Sequence, residues 1–349
     1  MIKQWMGTSR YVYNRALSGI KKGDDKYNFF ALRNKYVTQK NNTICNDWEF
    51  DTPKDIRAEA INDLCKAFKS TISNKNNGNI THFEMQFKKR TSPQTIVIPK
   101  SAINIRNKKI SIYSSFMNDI KSCNDKALNN INIKYDCRLT LQNGQYYLII
   151  PIDIKKKDCK GKGEAGLDPG SRKMFTVYSD KCAYKASIKK DNIKKLRDKL
   201  SKLQSLRAHK LITKNKANRA SMKIRVRSTN AINDLHYKLI DELVSNYNDI
   251  YLPKFKSQEL VKINKIKNVR SDLLCLKHYR FSQRINDIAE RTLGCNIHEC
   301  TEEWTTKTCT RCGTWNNPGL SEVYTCNACN LIIDRDINGS RNILIKSTC

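Results

Sequence analysis

The 349-residue chain carries 65 Lys+Arg against 33 Asp+Glu, a formal charge of +32, far more than solubility requires and suited to a polyphosphate partner. No run of about 18 apolar residues and no signal peptide at Met1-Ile2-Lys3-Gln4-Trp5 is found, so an intracellular protein without a membrane role is expected, nuclear if the host is eukaryotic. Of the 14 cysteines, ten stand singly among apolar or basic neighbours, unlike a secreted disulfide scaffold, and read as reduced.

The length exceeds the ~100–200 residues of one domain, so two or three modules are expected. Residues 1–80 read as helical. Trp5, Val12 and Leu17 fall at near-helical spacing, and a second helix opens with Thr52 as cap, Pro53 in the first turn and Asp55 completing a capping box. Ile56, Ala60, Leu64 and Ala67 form its apolar stripe. From His82 the period drops to two: Phe83, Met85 and Phe87 alternate with polar residues. Runs at Thr95–Ile98 and Ile110–Tyr113 follow, then a hairpin whose Asn143-Gly144 suits the positive φ values of a type I′ turn. A small β-barrel or sandwich is expected over 81–163, ending in a charged, glycine-containing linker.

A third module begins with the strand Ala165–Gly170, followed by Met174–Tyr178. Between Lys185 and Arg227 stand 16 Lys/Arg against only Asp191 and Asp198. Inside that block Ile193, Leu196, Leu200 and Leu203 repeat in a 3,4,3 pattern, predicting a long helix with an apolar seam and a cationic outer face. Lys194, Lys195, Arg197, Arg207, Lys210, Lys214, Lys216, Arg219, Arg225 and Arg227 are its candidate phosphate contacts, the alternative being a solvated face. Helices at Ile232–Tyr247 and Leu273–Arg291, strands at Asp249–Pro253 and Asn296–Thr301, and a last helix from Asp336 complete an α/β pattern.

Two motifs carry chemistry. Cys309-x-x-Cys312 and Cys326-x-x-Cys329, 13 residues apart, have zinc-ribbon spacing; four thiolates would close the shell of a structural ion, the alternative being ordinary thiols or a redox pair. Phosphodiester cleavage uses two hard cations about 4 Å apart, held by carboxylates from separate strands and helix ends. Asp168, Glu302 or Glu303, and Asp334 or Asp336 stand at such places. Each also has a plain reading: a turn at Asp168-Pro169-Gly170, a solvated strand end at Glu302 and Glu303, a helix N-cap at Asp336.

The order of these motifs resembles the transposon-encoded OrfB/TnpB proteins, particularly their eukaryotic and giant-virus relatives called Fanzor. The similarity rests on Gly166-Leu-Asp168-Pro-Gly170, Glu302-Glu-Trp-Thr-Thr-Lys-Thr-Cys309, the remaining cysteines and Asp334-Arg-Asp336-Ile-Asn338. Upstream, Trp5-Met-Gly-Thr-Ser-Arg-Tyr-Val-Tyr-Asn14-Arg-Ala-Leu, Thr52-Pro-Lys-Asp-Ile-Arg57-Ala-Glu-Ala and His82-Phe-Glu-Met-Gln-Phe-Lys extend it to nearly the whole chain.

The resemblance implies a multi-domain α+β protein. A helical recognition lobe would span 1–80 and a wedge-like β-barrel 81–163. An RNase H-like (RuvC-type) core would cover 164–303, with a basic helical segment at 185–247. A zinc ribbon would span 304–332, and 333–349 would hold the last catalytic aspartate and terminal helix. It further implies RNA-guided, Mg²⁺-dependent DNA cleavage, with guide RNA and target DNA as partners. Asp168, Glu302 and Asp336 would hold two Mg²⁺, with Glu303 and Asp334 as second choices, and a structural Zn²⁺ would sit on the cysteines. Bacterial relatives take the second carboxylate from the strand that here ends in Pro253, whereas Fanzor-type chains take it from the strand before the zinc module. Gly339-Ser340 replaces a commoner Ala-Ala, lowering helix propensity by up to ~1 kcal/mol at the glycine. A cleavage-impaired nucleic-acid-binding relative and an unguided structure-specific nuclease are the alternatives.

Overall fold

The computed structural model describes residues 1–38, 44–92, 94–122, 128, 131–170, 173–187, 190–254, 273–319 and 321–348, with backbone only at 119 and 190–193. The chain divides into two compact units, Met1–Asp153 and Ile154–Cys349. No helix among the described residues is long and apolar enough to cross a membrane.

The first unit opens with helices α1 (Ile2–Lys22), α2 (Phe29–Arg33) and α3 (Lys54–Asn76). Val12, Tyr13, Ala16 and Leu17 of α1 bury against Ala60, Ile61 and Leu64 of α3. At the other end of the pair, Trp5, Met6 and Ile56 join Ile96, Ile98, Ile110, Ile112 and Leu139 in a core shared with the strands. Those strands form two antiparallel sheets. One orders β1 (Gln94–Ile98), β5 (Cys137–Gln142) and β6 (Gln145–Ile149); the other orders β2 (Ile103–Arg106), β3 (Lys109–Ile112) and β4 (Met117–Lys121). The β5–β6 turn has φ 53° at Asn143 and 77° at Gly144, as its sequence predicts.

Two local expectations fail here. Thr52 does not cap α3. Pro53 occupies the N-cap without a side-chain bond, and the buried Thr52 hydroxyl instead donates to Thr8 Oγ1 of α1 at 2.9 Å, where water cannot satisfy it. The alternating segment Phe83–Phe87 joins no sheet. Asn14 takes the place of a strand partner just beyond it: its amide donates to the Lys88 carbonyl at 3.0 Å and accepts from the Lys88 N–H at 2.8 Å. Arg15 closes the helical end on fully buried Glu49 through two bonds of 2.6 and 2.9 Å.

The second unit is built on a five-stranded mixed sheet ordered β10-β9-β8-β11-β13: β10 (Ala183–Ala186), β9 (Phe175–Tyr178), β8 (Glu164–Pro169), β11 (Asp249–Pro253) and β13 (Asn296–Cys300). The first three are antiparallel to one another, whereas β11 and β13 run parallel to β8; a separate short parallel pair joins β7 (Lys157–Asp158) to β12 (Thr292–Leu293). Ala165, Leu167, Phe175, Val177, Ile250 and Leu252 pack from this sheet against Leu239, Ile240 and Leu243 of α5 (Lys214–Asn246) and Phe281 and Ile285 of α6 (His278–Ala289). Expected separate, the Ile232–Tyr247 helix is instead the end of one 33-residue helix. No proline or glycine interrupts Lys214–Asn246, and no helix breaker separates the basic and apolar halves. The chain closes with α7 (Arg335–Thr348) lying against β8.

Candidate active site

In a sheet of this kind ligands bind beyond the carboxyl ends of parallel strands, where the chain order reverses. From β8 the chain passes to β9 on one side, and β11 lies on the other. Asp168 stands at the end of β8. The backbones of β8 and α7 approach closely there: a Cβ on Gly166 would sit 2.5 Å from the Ser340 carbonyl and 3.0 Å from the Leu344 nitrogen. A Cβ on Gly339 would sit 2.7 Å from Asp168 Oδ2. The two glycines let the helix seat against the strand and leave a place for the carboxylate. His278 fastens the following turn, its Nε2–H donating to the Gly170 carbonyl at 3.0 Å. Burial lowers the His278 pKa to about 4, so the ring is neutral.

Asp168 has its pKa raised to about 8, first by burial and then by the negative charges of Asp336 and Glu302. Among the carboxylates, those two act on it most strongly. Arg335 and Lys185 work in the opposite direction without overcoming the shift. Glu302 follows β13, and its backbone is pinned by the Thr305 hydroxyl, which donates to the Glu302 main-chain carbonyl at 2.8 Å. Desolvation of its carboxyl raises its own pKa, although the residue, like Glu303, is exposed. Glu303 is exposed, and its carbonyl accepts from Lys346 Nζ at 3.4 Å.

The plain reading of Asp336 as the helix cap is wrong, because Asp334 does that work. Asp334 Oδ1 accepts from the backbone N–H of Asp336 at 3.0 Å and of Ile337 at 3.2 Å, leaving the Asp336 carboxylate in the first turn of α7 free of capping duty. Lys185 of β10 reaches both: its Nζ lies 2.5 Å from Asp334 Oδ2 and 3.3 Å from Asp336 Oδ2. Burial pushes Asp334 upward, but Lys185 and the two N–H donors outweigh it and hold its pKa below the usual range. Composition counts Lys185 with the basic block, and strand pairing moves it to the acidic cluster. That role was not readable from spacing.

The four cysteine sulfurs all lie within 4.8 Å of one another. Cys309–Cys329 and Cys312–Cys326 are each 3.6 Å apart, close to the ~3.8 Å edge of a tetrahedron with 2.3 Å metal–sulfur bonds. Backbone N–H groups of Cys329 and Ala328 lower the Cys326 thiol to about 6, while burial pushes Cys329 up. Four thiolates at this spacing need a cation, so the donor set fits a structural metal ion. Every cysteine among the described residues is free of disulfide bonding. The carboxylates form no comparably tight group among the described residues.

Two asparagines missed by motif reasoning join this module to the last helix. Asn338 donates to the Thr308 carbonyl at 2.8 Å and accepts from Thr310 N–H at 3.2 Å. Asn342 donates to the carbonyls of Thr305 and Thr308 at 2.7 and 2.6 Å. The strand β15 (Ile332–Asp334), paired with β14 (Val323–Thr325), runs directly into α7. One short stretch thus links the sulfur cluster to Asp334 and Asp336. Asn338 lies inside the Asp-x-Asn signature, the only hint that the sequence offered.

The basic block forms α4 (Lys190–Ala208) and the first part of α5. Leu196, Leu200 and Leu203 are half-buried, as their seam predicts; the Ile193 side chain, with residues 188–189, lies outside the described residues. Lys194, Lys195, Arg207, Lys210, Lys214, Lys216, Arg219, Arg225 and Arg227 are exposed, and Arg197 is half-buried.

The fold and site define a mixed α/β protein with carboxylates gathered around a strand end and a four-cysteine cluster beside them. Residues 278–343 match the model of the Cas12f1-like TNB domain. A TnpB-like protein of Acanthamoeba polyphaga mimivirus is 28% identical over 303 residues, covering 83% of this chain and 56% of the relative. A protein of Paramecium bursaria Chlorella virus 1 is 25% identical over 383 residues, covering 99% of this chain and 83% of the relative. Among solved structures, that of a Cas12f1–sgRNA–target DNA complex aligns over 98% of this chain and 81% of its own, with TM-score 0.54 and 12% identity. The chain is thus similar to TnpB-like proteins of giant viruses over most of its length, and its last part matches the Cas12f1-like TNB domain. It spans about half the length of the mimivirus relatives that it matches.

Proposed function

We propose that this chain is an RNA-guided DNA endonuclease whose RNase H-like core hydrolyses phosphodiesters with Mg²⁺ held by Asp168, Glu302 and Asp336. The observation that carries the reading is the placement of Asp168, at the end of β8 and against Gly339 of α7, where Asp336 and Glu302 repel it. A half-buried carboxyl repelled by two others is poised for a divalent cation, whose charge would reverse the repulsion. All three donors are hard oxygens from separate elements, and the set fits Mg²⁺. Bound there, such ions would stabilise charge on the scissile phosphate and activate water. The chain's own part is positioning: Gly339 makes room for Asp168, Thr305 pins the Glu302 backbone, and Asp334 caps α7 so that Asp336 stays available.

The helical segment of 1–80 is assigned as recognition lobe and the strands of 81–163 as wedge; the four-cysteine module holds Zn²⁺. Exposed cations of α4 and α5 would grip guide RNA and its heteroduplex by backbone and shape, leaving sequence choice to base pairing. The complex of the solved Cas12f1 relative, which contains guide and target, supports those partners. Lys185, ion-paired with Asp336 and with the capping Asp334, favours one second reading, a cleavage-impaired RNA/DNA binder. The test is to purify the protein from cells carrying its flanking DNA, sequence the bound RNA, and assay matching DNA with Mg²⁺. A single structured RNA with a variable end and Asp168-dependent cutting is expected. Bound RNA without cutting favours the second reading, and loss of both sinks the proposal.

A further inference from the structure

The first unit contains a cavity of about 730 Å³ between α2 and α3. Its apolar wall is unusual for a surface: Phe30 is 71% exposed and Tyr27 43% exposed. Tyr27 stacks flat on Phe68 at 5.4 Å and 12°, and Phe29 meets Phe30 edge-on at 5.4 Å. Around this wall stand Lys26, Lys66 and Lys69, all exposed and none ion-paired among the described residues. The acidic group on the rim, Asp25, is already neutralised. It pairs with Lys35 at 2.7 Å and accepts from the Tyr36 hydroxyl at 2.5 Å, in space left by Gly19.

We propose that this pocket takes an unpaired nucleobase, stacked on Tyr27 or Phe30, with its flanking phosphates on Lys26, Lys66 and Lys69. A π-face beside several ammonium groups is the combination that holds single-stranded nucleic acid without reading its sequence. The volume lies within the ~300–1,000 Å³ of small-ligand sites. A purely apolar ligand would leave three lysines without purpose; a free phosphate would leave the exposed rings without one. The inference rests on the nucleic-acid-binding reading above but assigns no role to the carboxylates.

The test uses the full chain and two ~12-nucleotide oligomers, one RNA and one DNA, each carrying 5-iodouracil, a length suited to such sites. Binding is followed by anisotropy, and photo-adducts are mapped by peptide mass spectrometry. Adducts on Tyr27, Phe29 or Phe30 are expected, and the polymer that yields them identifies the source of the base. Phe30→Ala should cut that adduct at least about fivefold, the low end of stacking losses, without moving the melting temperature, because the ring is exposed. Lys66→Gln with Lys69→Gln should reduce the salt dependence of the adduct. Oligomers that bind yet give adducts only outside residues 25–69, or an adduct indifferent to Phe30→Ala, overturn the pocket. Failure of both oligomers to bind at all would remove the nucleic-acid reading and the pocket with it.

Discussion

Gly339 and Asp168 occupy each other's space: a β-carbon on Gly339 would come within 2.7 Å of the Asp168 carboxylate oxygen. The glycine costs helix propensity, yet it is what lets the carboxylate lie against α7. Gly339→Ala should therefore gain up to ~1 kcal/mol of helix propensity and spend it on turning the Asp168 side chain aside. A melting temperature within about 3 °C of the parent, with cleavage at least tenfold slower, is the expected result. Gly166→Ala differs in kind, because its Cβ meets the Ser340 backbone at 2.5 Å. Backbone cannot rotate away, so a loss of roughly 1–3 kcal/mol is expected, as for overpacked cores. Equal thermal effects of the two substitutions would contradict this account.

Asp168 is stressed by its surroundings, and neutralising it should stabilise the metal-free fold. Asp168→Asn keeps the shape and removes the repulsion from Asp336 and Glu302. A gain of roughly 0.5–2 kcal/mol at pH 7.5 is expected, with complete loss of DNA cleavage, the exchange of stability for function seen at strained sites. Thermal unfolding in the presence of a chelator measures it. A destabilised Asn variant would show that the carboxylate is not under electrostatic strain.

Lys185 should have the opposite sign. Its ammonium neutralises Asp334 and Asp336, and the pair is partly exposed, so Lys185→Gln should cost roughly 1–2 kcal/mol, less than the 3–5 of a fully buried pair. Because a divalent cation can replace the missing charge, Mg²⁺ should raise the melting temperature of the variant more than that of the parent. The same Mg²⁺ increment in both proteins would argue against metal binding at these carboxylates.

Much of this organisation was legible in the sequence because it rests on local chemistry. Asn143-Gly144 dictates its turn, the paired Cys-x-x-Cys knuckles announce their cluster, and the 3,4,3 leucine pattern marks α4. What escaped depends on partners distant in the chain. Thr52 looks like a cap until Thr8 is seen across from it. Lys185 counts as one more basic residue until β10 carries it beside α7. Asp334 and Asp336 are indistinguishable by spacing, and only the helix start decides which carboxylate caps and which remains available. Gly339 reads as a weak helix former because its reason lies on a strand 171 positions earlier.

The cysteine module should govern the carboxylates through its attachment to α7. Cys326→Ser would remove one of four sulfurs from the cluster and loosen β15, which leads into Asp334 and Asp336. One zinc per chain is expected by elemental analysis of the parent and markedly less in the variant. DNA cleavage should fall at least tenfold even with Mg²⁺ in excess. Asn342→Ala, which leaves every sulfur in place but cuts the tie to Thr305 and Thr308, should lower cleavage while keeping zinc. Retained activity in both variants would separate the module from the site.

Acidification should unfold the second unit through its neutral histidines. Burial lowers His236 to about 4; its Nε2–H donates to the Leu276 carbonyl at 3.0 Å while Nδ1 accepts from Arg284 at 3.1 Å, so both nitrogens are in use without a second proton. His278 is held at about 4 in the same way by burial. Between pH 4 and about 6.5 the unfolded chain binds protons at these rings and the folded chain does not, so stability rises with pH across that window and is lost as pH falls through it. Asp168 opposes them: its folded pKa of about 8 lies above the unfolded value, so its contribution falls as pH rises from about 4 to 8. Asp168→Asn abolishes only the opposing part. Metal-free melting curves should therefore climb more steeply from pH 5 to 6.5 in Asp168→Asn than in the parent, and replacing His236 by Asn should flatten both.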